Sequence, residues 1–292
     1  MNILFEQVEV LTAAQVAALE TTDLVAMTTD QIATLSSAQV AALKTAQIEA
    51  LTTAQLVALD SADVAALSAA QVAALTTAQA LAMTIEQVTA LSTAQLQAMQ
   101  TVDLAALATD RIAALSTAQV EALGTAQVVA LTTAQVRALS ADQLAVLTTA
   151  QIRALATDDV VALSTDQVVA LSSDQFAALN TAQVVALSSA QVAAIEVADL
   201  AGLSVAQVQA LETADIAALS LAQVVGLSAA QFAALSTAQI AGSTASIDPI
   251  YSAFYYEEKK DFRRPGAAPG LSLETWPYYE KGAYKVDQFA SV

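Results

Sequence analysis

Residues 115–139 read LSTAQVEALGTAQVVALTTAQVRAL, and the eight-letter phrase within this stretch continues along the chain in both directions. Its glutamines, Gln119, Gln127 and Gln135, stand eight residues apart without a slip. Self-similarity at a fixed short period is the signature of repeat architectures, in which each unit packs on its neighbours. The sequence therefore predicts an array of equivalent units.

The register of this repeat extends from Gln7 to Gln239, which corresponds to roughly thirty units without an insertion. A Leu, Met or Ile occupies the equivalent position in every unit from Leu11 to Leu235. Arg111 replaces the glutamine once. Aspartate replaces it at Asp23, Asp63, Asp103, Asp159, Asp199 and Asp215.

A single continuous helix does not fit this period. At 3.6 residues per turn, eight residues advance about 800°, so each leucine would be rotated by about 80° from the last. The apolar stripe would wind around the helix and no partner could cover it. A strand fits poorly as well, because alternation separates Val120 from Leu123 and because alanine is a weak strand former.

Short helices, one per unit, account for every position of the repeat. Ser116 is placed to cap the N-terminus of a helix, and Gln119 at the third helical position can reach back to it in a capping box. Leu115 and Val120 are spaced as a hydrophobic staple. Ala122 is almost always Ala, Gly or Thr in the other units, which indicates a close approach between helices.

The predicted fold is therefore all-α, a solenoid or superhelical rod of very short helices, one for each eight-residue repeat. Units of about two helical turns are too short to persist alone, so stacking on neighbouring units must stabilise them. The repeated glutamine is interpreted as a structural cap. A β-solenoid with stacked Thr and Gln ladders is the alternative.

Composition narrows the possible functions. The chain has 292 residues, no His and no Cys, which removes the commonest general base, the thiol nucleophile and the usual zinc ligands. The formal charge of −18 disfavours nucleic-acid binding. We therefore predict no enzyme activity, no catalytic residue, no metal and no cofactor.

Two further features bear on location. The start, MNILFEQVEVL, lacks the basic and apolar regions of a Sec signal peptide. Polar residues interrupt every apolar run before roughly 18 residues, so no membrane insertion is expected.

The register ends near Ser243, and the composition changes there. We predict two regions, a solenoid over residues 1–243 and a Pro-containing aromatic tail over 244–292, which holds all four prolines, all six tyrosines and the Trp. The tail carries six of the ten basic and seven of the 28 acidic residues, so the array holds 21 acids against four bases, a net charge of −17.

The tail is predicted either to cap its own solenoid or to act as an extended arm that docks on a neighbouring copy. A candidate assembly interface consists of apolar residues at the start of the chain and aromatic residues in the tail. These are Ile3, Leu4, Phe5, Tyr251, Phe254, Tyr255, Tyr256, Trp276, Tyr278, Tyr279 and Tyr284.

The phrase L-[ST]-T-A-Q-V-x-A resembles octapeptide-repeat regions of large proteobacterial secreted and cell-surface proteins. The resemblance covers residues from about Gln7 to Gln239 and implies an extracellular or cell-surface structural role. We therefore predict a stiff spacer that forms a homo-oligomer or homopolymer, as a filament or surface layer. The alternatives are an acidic binding module, either a DNA mimic or an adhesin spacer, and an ice-binding protein that uses its regularly spaced threonines.

Overall fold

A computed structural model describes residues 8–242, 279–280 and 283–284. The prediction of one short helix per eight-residue repeat is confirmed throughout the described repeats, and the β-solenoid alternative is wrong for them. In chain order, the helices are Ala13–Ala18, Thr21–Val25, Thr29–Ala33, Ser37–Ala41, Thr45–Ala50, Thr53–Ala58, Ser61–Ala65, Ala69–Val72, Thr77–Ala82, Ile85–Ala90, Thr93–Ala98, Thr101–Ala106, Thr109–Ala113, Thr117–Glu121, Thr125–Ala130, Thr133–Ala138, Ala141–Ala145, Thr149–Ala154, Thr157–Ala162, Thr165–Val169, Ser173–Ala178, Thr181–Ala186, Ser189–Ala194, Val197–Gly202, Val205–Ala210, Thr213–Ala218, Leu221–Gly226, Ala229–Ala233 and Thr237–Gly242.

Each helix begins and ends within its own repeat. In the unit around Thr133–Ala138, the capping residue Thr132 is extended, with φ −73° and ψ 153°, and its hydroxyl accepts a hydrogen bond from the Gln135 N–H. The C-terminal cap Leu139 is extended again, with φ −62° and ψ 142°, and its N–H donates to the Val136 carbonyl. Two extended residues between helices redirect the chain once per repeat, so successive helices turn instead of merging into one.

Helices three units apart pack against each other. The helix Thr133–Ala138 contacts Thr109–Ala113 before it and Thr157–Ala162 after it. Hydrogen bonds between turns join residues 25 to 31 positions apart, as the bond from Gln97 to Ala122 and that from Gln119 to Val88 illustrate. One turn therefore holds between three and four eight-residue units, and each helix starts above a junction between two earlier helices.

The core is narrow and consists of two rows of side chains from every repeat. The residue after the glutamine and the leucine at the helix end are both buried, as in Val136 at 0% exposure and Leu139 at 4%. Leu115 and Val120, the predicted hydrophobic staple, are buried as well. This thin core matches the low aromatic content of the chain, since a wide interior would require larger side chains.

The contacts divide the chain into two units, Met1–Ala170 and Leu171–Val292. In each unit, the described helices stack in the same three-apart pattern. Two short strands lie further along the chain, where Tyr279–Glu280 pairs antiparallel with Ala283–Tyr284.

The predicted division at residue 243 and most of the candidate assembly interface lie outside the described residues. Of that interface, the structure describes only the backbone of Tyr279 and Tyr284, which are paired with each other across the two strands. The role of the interface stays a prediction for the rest of the set, namely Ile3, Leu4, Phe5, Tyr251, Phe254, Tyr255, Tyr256, Trp276 and Tyr278.

The small residue near the helix end faces the first helical residue of an earlier turn. At Gly202, an added Cβ would lie 3.4 Å from the Cβ of Ser173, which is ordinary contact. At Gly226, the equivalent Cβ would lie 2.4 Å from Cγ1 of Val197. The close approach predicted for this position is therefore present at both glycines, and it is tighter where the facing residue is larger.

The two glycines give opposite expectations for substitution by alanine. Gly202→Ala should raise the free energy of unfolding by about 0.5–1 kcal/mol, because alanine is the better helix former and its methyl group fits. Gly226→Ala should lower it, because overpacking costs roughly 1–3 kcal/mol. Urea unfolding followed by circular dichroism measures both effects. In a Val197→Ala background, Gly226→Ala should become stabilising, and equal effects at the two glycines would contradict this account.

Candidate functional site

The repeated glutamine is the polar group that joins one turn of the solenoid to the next. Gln119 lies at the third position of its helix and is 5% exposed. Its Oε1 accepts a hydrogen bond from the Ser116 N–H at 2.8 Å, so it completes the predicted capping box. Its Nε2 donates to the Leu91 carbonyl at 2.8 Å, 28 residues earlier in the chain.

The same bond recurs along both units. We call it the glutamine ladder, defined as the hydrogen bond from a glutamine Nε2 to the leucine-position carbonyl 28 residues earlier, with lengths of 2.5 to 2.9 Å. Its donors in the first unit are Gln39, Gln47, Gln55, Gln71, Gln79, Gln87, Gln95, Gln119, Gln127, Gln135, Gln143, Gln151 and Gln167. In the second unit they are Gln207, Gln223, Gln231 and Gln239.

A buried amide is stable here because both of its ends are bonded. Gln135 is 1% exposed, its Oε1 accepts from the Thr132 N–H, and its Nε2 donates to the carbonyls of Leu107 at 2.7 Å and Leu104 at 3.1 Å. Each such bond contributes about 0.5–1.5 kcal/mol net, whereas a buried amide without partners would cost about 1–3 kcal/mol. The ladder bond is therefore a stabilising contact, and a glutamine that is buried at this position requires it.

Arg111 preserves the donor although it changes the side chain. Its Nε donates to the Met83 carbonyl at 3.0 Å, which is the ladder acceptor 28 residues earlier. Its Nη1 pairs with the Asp110 carboxylate at 2.9 Å. This hydrogen bond holds the pKa of Asp110 below its ordinary value. A positively charged residue is thus accommodated because it supplies the same N–H to the turn below.

Aspartate at the ladder position reverses the direction of the bond. A carboxylate has no N–H, and it accepts a hydrogen bond from a hydroxyl 26 residues earlier, at the first position of a helix. The Ser37 hydroxyl donates to Asp63 Oδ1 at 2.8 Å, for example. The other pairs are Thr77 with Asp103, Thr133 with Asp159, Ser173 with Asp199, and Ser189 with Asp215.

The aspartates leave the leucine carbonyls below them without the donor that glutamine supplies. Within the described repeats, no hydrogen bond reaches the carbonyls of Leu35, Leu75, Leu131, Leu171 or Leu187, the residues 28 positions before the five aspartates. Each aspartate therefore exchanges one inter-turn bond for another and leaves an acceptor unused.

Asp103 is the least satisfied member of this group. Its side chain is 1% exposed, Oδ1 accepts from the Thr77 hydroxyl at 2.7 Å, and Oδ2 has no hydrogen-bond partner. Gln100, which precedes its helix, makes no side-chain cap and donates its Nε2 to the Ala73 carbonyl at 3.0 Å. A buried, unpaired carboxylate oxygen is destabilising, so this junction is a weak point of the array.

The sequence matches a family of repeats, and the match runs along the array. The family of ALTTAQ repeats matches residues 16–53, 56–93, 96–133, 128–157, 152–189, 192–224 and 208–242, which together make up more than half of the chain. The chain belongs to the ALTTAQ repeat family. No curated protein matches it. The predicted tandem octapeptide array is thereby confirmed.

The sequence predicts one of the two hydrogen-bonding roles of the ALTTAQ glutamine. It predicted the bond to the capping residue but not the Nε2 bond to the turn below, because the number of units per turn was unknown. The residue 26 positions before each of the five aspartates is Ser or Thr. The same is true of most glutamines, for example Thr93 before Gln119, so this spacing alone does not identify the bond.

Residues 8–242 contain no group of three or more acidic residues arranged to hold a metal ion. No helix in the described part of the chain is long and apolar enough to span a membrane.

Restoring the glutamine at the weakest ALTTAQ junction should stabilise the chain. Asp103→Gln should raise the free energy of unfolding by about 1–3 kcal/mol, because it removes the unpaired Oδ2, supplies a donor for Leu75 and adds an acceptor for the Gln100 N–H. Asp103→Asn removes the charge but is one methylene too short for this bond, so its gain should be smaller. Denaturant midpoints of the unsubstituted chain and the two variants measure these gains. Equal midpoints for the two variants would show that the gain comes from removal of the charge and not from the restored hydrogen bond.

Asp63 should make the stability of the array depend on pH. Burial raises the pKa of Asp63, against the opposing effect of the Ser37 hydroxyl, and the Asp60 carboxylate raises it further. The folded state therefore binds this proton more readily than the unfolded chain, so the contribution of Asp63 improves as the pH falls through its folded pKa. Asp63→Asn should gain most over the unsubstituted chain at neutral pH, and thermal melts in a pH series should show this gain shrinking in acid. A gain that does not change with pH would contradict the assignment.

Proposed function

We propose that this ALTTAQ repeat protein is a structural, non-enzymatic protein that self-assembles into a filament or surface layer outside the cell. The observation that carries the proposal is the glutamine ladder. The polar side chain repeated in nearly every unit is buried, and its bonds go to its own helix and to the turn below, as at Gln135. Repetition of one hydrogen bond between turns suits a protein whose role is to form a long, stiff structure.

The surface of the array is acidic, which supports a structural role and not the binding of a polyanion. Acidic side chains occupy exposed positions in the first turn of many helices, where the helix dipole favours them. These include Asp30, Asp110, Asp142, Asp158, Asp166 and Asp174. The array has a net charge of −17, from 21 acids and four bases over residues 1–243, which disfavours association with nucleic acid.

Lateral contacts between solenoids have a candidate surface as well. The residue two positions after the glutamine is apolar and exposed in several units, including Leu81 at 56%, Val129 at 60% and Val225 at 65%. Exposed apolar side chains of this kind favour association when they line up on neighbouring molecules. A layer would use this lateral surface, whereas a filament would use the ends of the array.

Electron microscopy of the purified full chain over a concentration series tests the proposal. Fibres or sheets should appear as concentration rises, and sedimentation should show the matching loss of monomer. Uniform monomers at the highest concentration, with and without added salt, would refute self-assembly. Salt-sensitive capture of a purified DNA-binding protein by such monomers would instead favour the acidic binding module.

Removal of residues 244–292 separates the two roles predicted for the tail. If the tail is an arm that docks on a neighbour, the truncated chain should stay helical and remain monomeric under conditions in which the full chain assembles. If the tail caps its own array, truncation should instead lower the melting temperature and increase irregular aggregation. Circular dichroism melts and electron microscopy together distinguish these results, and unchanged filaments would exclude the arm.

A further inference from the structure

The last described turn of the array ends in three leucine-position carbonyls that accept no hydrogen bond from the described residues. No described residue donates to the carbonyls of Leu219, Leu227 or Leu235, although the equivalent carbonyl of Leu211 accepts from Gln239 at 2.7 Å. The side chain of Phe232 is half-buried, whereas the residue at that position in earlier repeats, such as Val208, is buried at 0% exposure. The groups that receive a following turn are therefore present at this end, and no described residue bonds to them.

The first described turn carries the complementary group, a glutamine amide donor. Gln15 is exposed, and its Oε1 accepts from the Thr12 N–H at 2.8 Å. Its Nε2 makes no hydrogen bond to any residue in the described part of the chain, whereas Gln47, four repeats later, donates to the Leu19 carbonyl at 2.9 Å. Leu11 and Leu19 are half-buried, although their equivalents from Leu35 onward are buried. This end offers a ladder donor and an uncovered leucine row.

We propose that the first turn of one copy docks on the last turn of a second copy and continues the glutamine ladder between them. The inference rests on the proposed self-assembly and names its contact. In the register that places Gln7 of the incoming copy eight positions after Gln239, Gln15 falls 28 positions after Leu227, which is the spacing of every ladder bond. Leu19 of one copy and Phe232 of the other then supply apolar surface that each lacks alone.

Such a contact generates an open filament. The two surfaces are different, so the assembly keeps one free end of each kind after every addition, and growth continues without closure. Both ends are acidic. Glu9, Glu20, Asp23 and Asp30 lie in the first turn and Glu212 and Asp215 in the last, with no Lys or Arg over residues 8–34 or 212–242. Salt should therefore promote docking, since it screens this repulsion.

Cysteine pairs test the register directly, because the chain contains no cysteine of its own. Within the array, the Cβ of a residue at Gly202 would lie 3.4 Å from that of Ser173, 29 positions earlier, close to the roughly 3.5–4.5 Å that a disulfide requires. In the proposed register, Ala18 of the incoming copy stands 29 positions after Ala229. Both are exposed. The full-length Ala18→Cys, Ala229→Cys double variant should therefore form disulfides between copies.

Two matched variants complete the experiment. Gly202→Cys with Ser173→Cys should close a disulfide within one chain and remain monomeric on a non-reducing gel. Ala18→Cys with Thr237→Cys is one repeat out of register and should cross-link far less. A ladder of multiples of the 29.9 kDa chain from the in-register pair alone would establish the contact.

A donor substitution gives an independent measurement. Gln15→Glu keeps an oxygen for the Thr12 N–H but removes the amide donor, and it should raise the concentration needed for assembly by about tenfold, the effect of roughly 1.4 kcal/mol. Ala14→Glu adds the same charge to an exposed neighbouring position and should change this concentration much less.

The outcomes separate the contact from the function. Filaments that form equally well in Gln15→Glu and Ala14→Glu, with no in-register cross-link, would overturn the docking contact while leaving self-assembly intact. Absence of both filaments and cross-links at every concentration and salt level would overturn the contact and the proposed function together.

Discussion

The hydrogen bond from a buried glutamine Nε2 to a backbone carbonyl of the turn below is the contact on which the other features of the array depend. A helix of four to six residues cannot persist alone, and its capping bond only fixes where it begins. The ladder ties that beginning to the end of an earlier helix, and it does so at the place where a helix leaves carbonyls without partners. The donor of one helix thereby satisfies the acceptor of another, and burial of the Val and Leu rows follows from that alignment.

The sequence alone was sufficient for the local structure of the repeat. The spacing of Ser116, Gln119 and Val120 predicts where a helix begins. The period of eight excludes one long helix, because the apolar stripe would wind around it. The path of the solenoid was not accessible in the same way, because it depends on the angle that Leu139 and its equivalents introduce between helices. A few degrees at each junction change the number of units per turn, and no local preference determines so small an angle.

The candidate site was predictable only in its local part, because spacing along the chain gives near contacts but not contacts between turns. The capping role of Gln119 concerns residues three positions apart, so it can be inferred from spacing. Its second partner, Leu91, becomes identifiable only once the turn is known to hold between three and four units. The bond of each of the five aspartates to a hydroxyl 26 residues earlier, such as that of Asp103 to Thr77, was not predictable from the sequence. Most glutamines also have Ser or Thr at that distance, so only the geometry of the turn shows that the two residues meet.

The two kinds of junction differ in how they tolerate a change in the number of repeats. A glutamine bonds to backbone carbonyls, which every unit presents, so loss or duplication of one unit recreates the same junction from different residues. An aspartate needs a particular side chain. Removal of one unit between Thr77 and Asp103 would place Ala69 opposite the carboxylate, and duplication of one would place Ile85 there. Glutamine units can therefore be gained and lost as the array evolves, whereas Asp103 holds the length of the segment before it fixed.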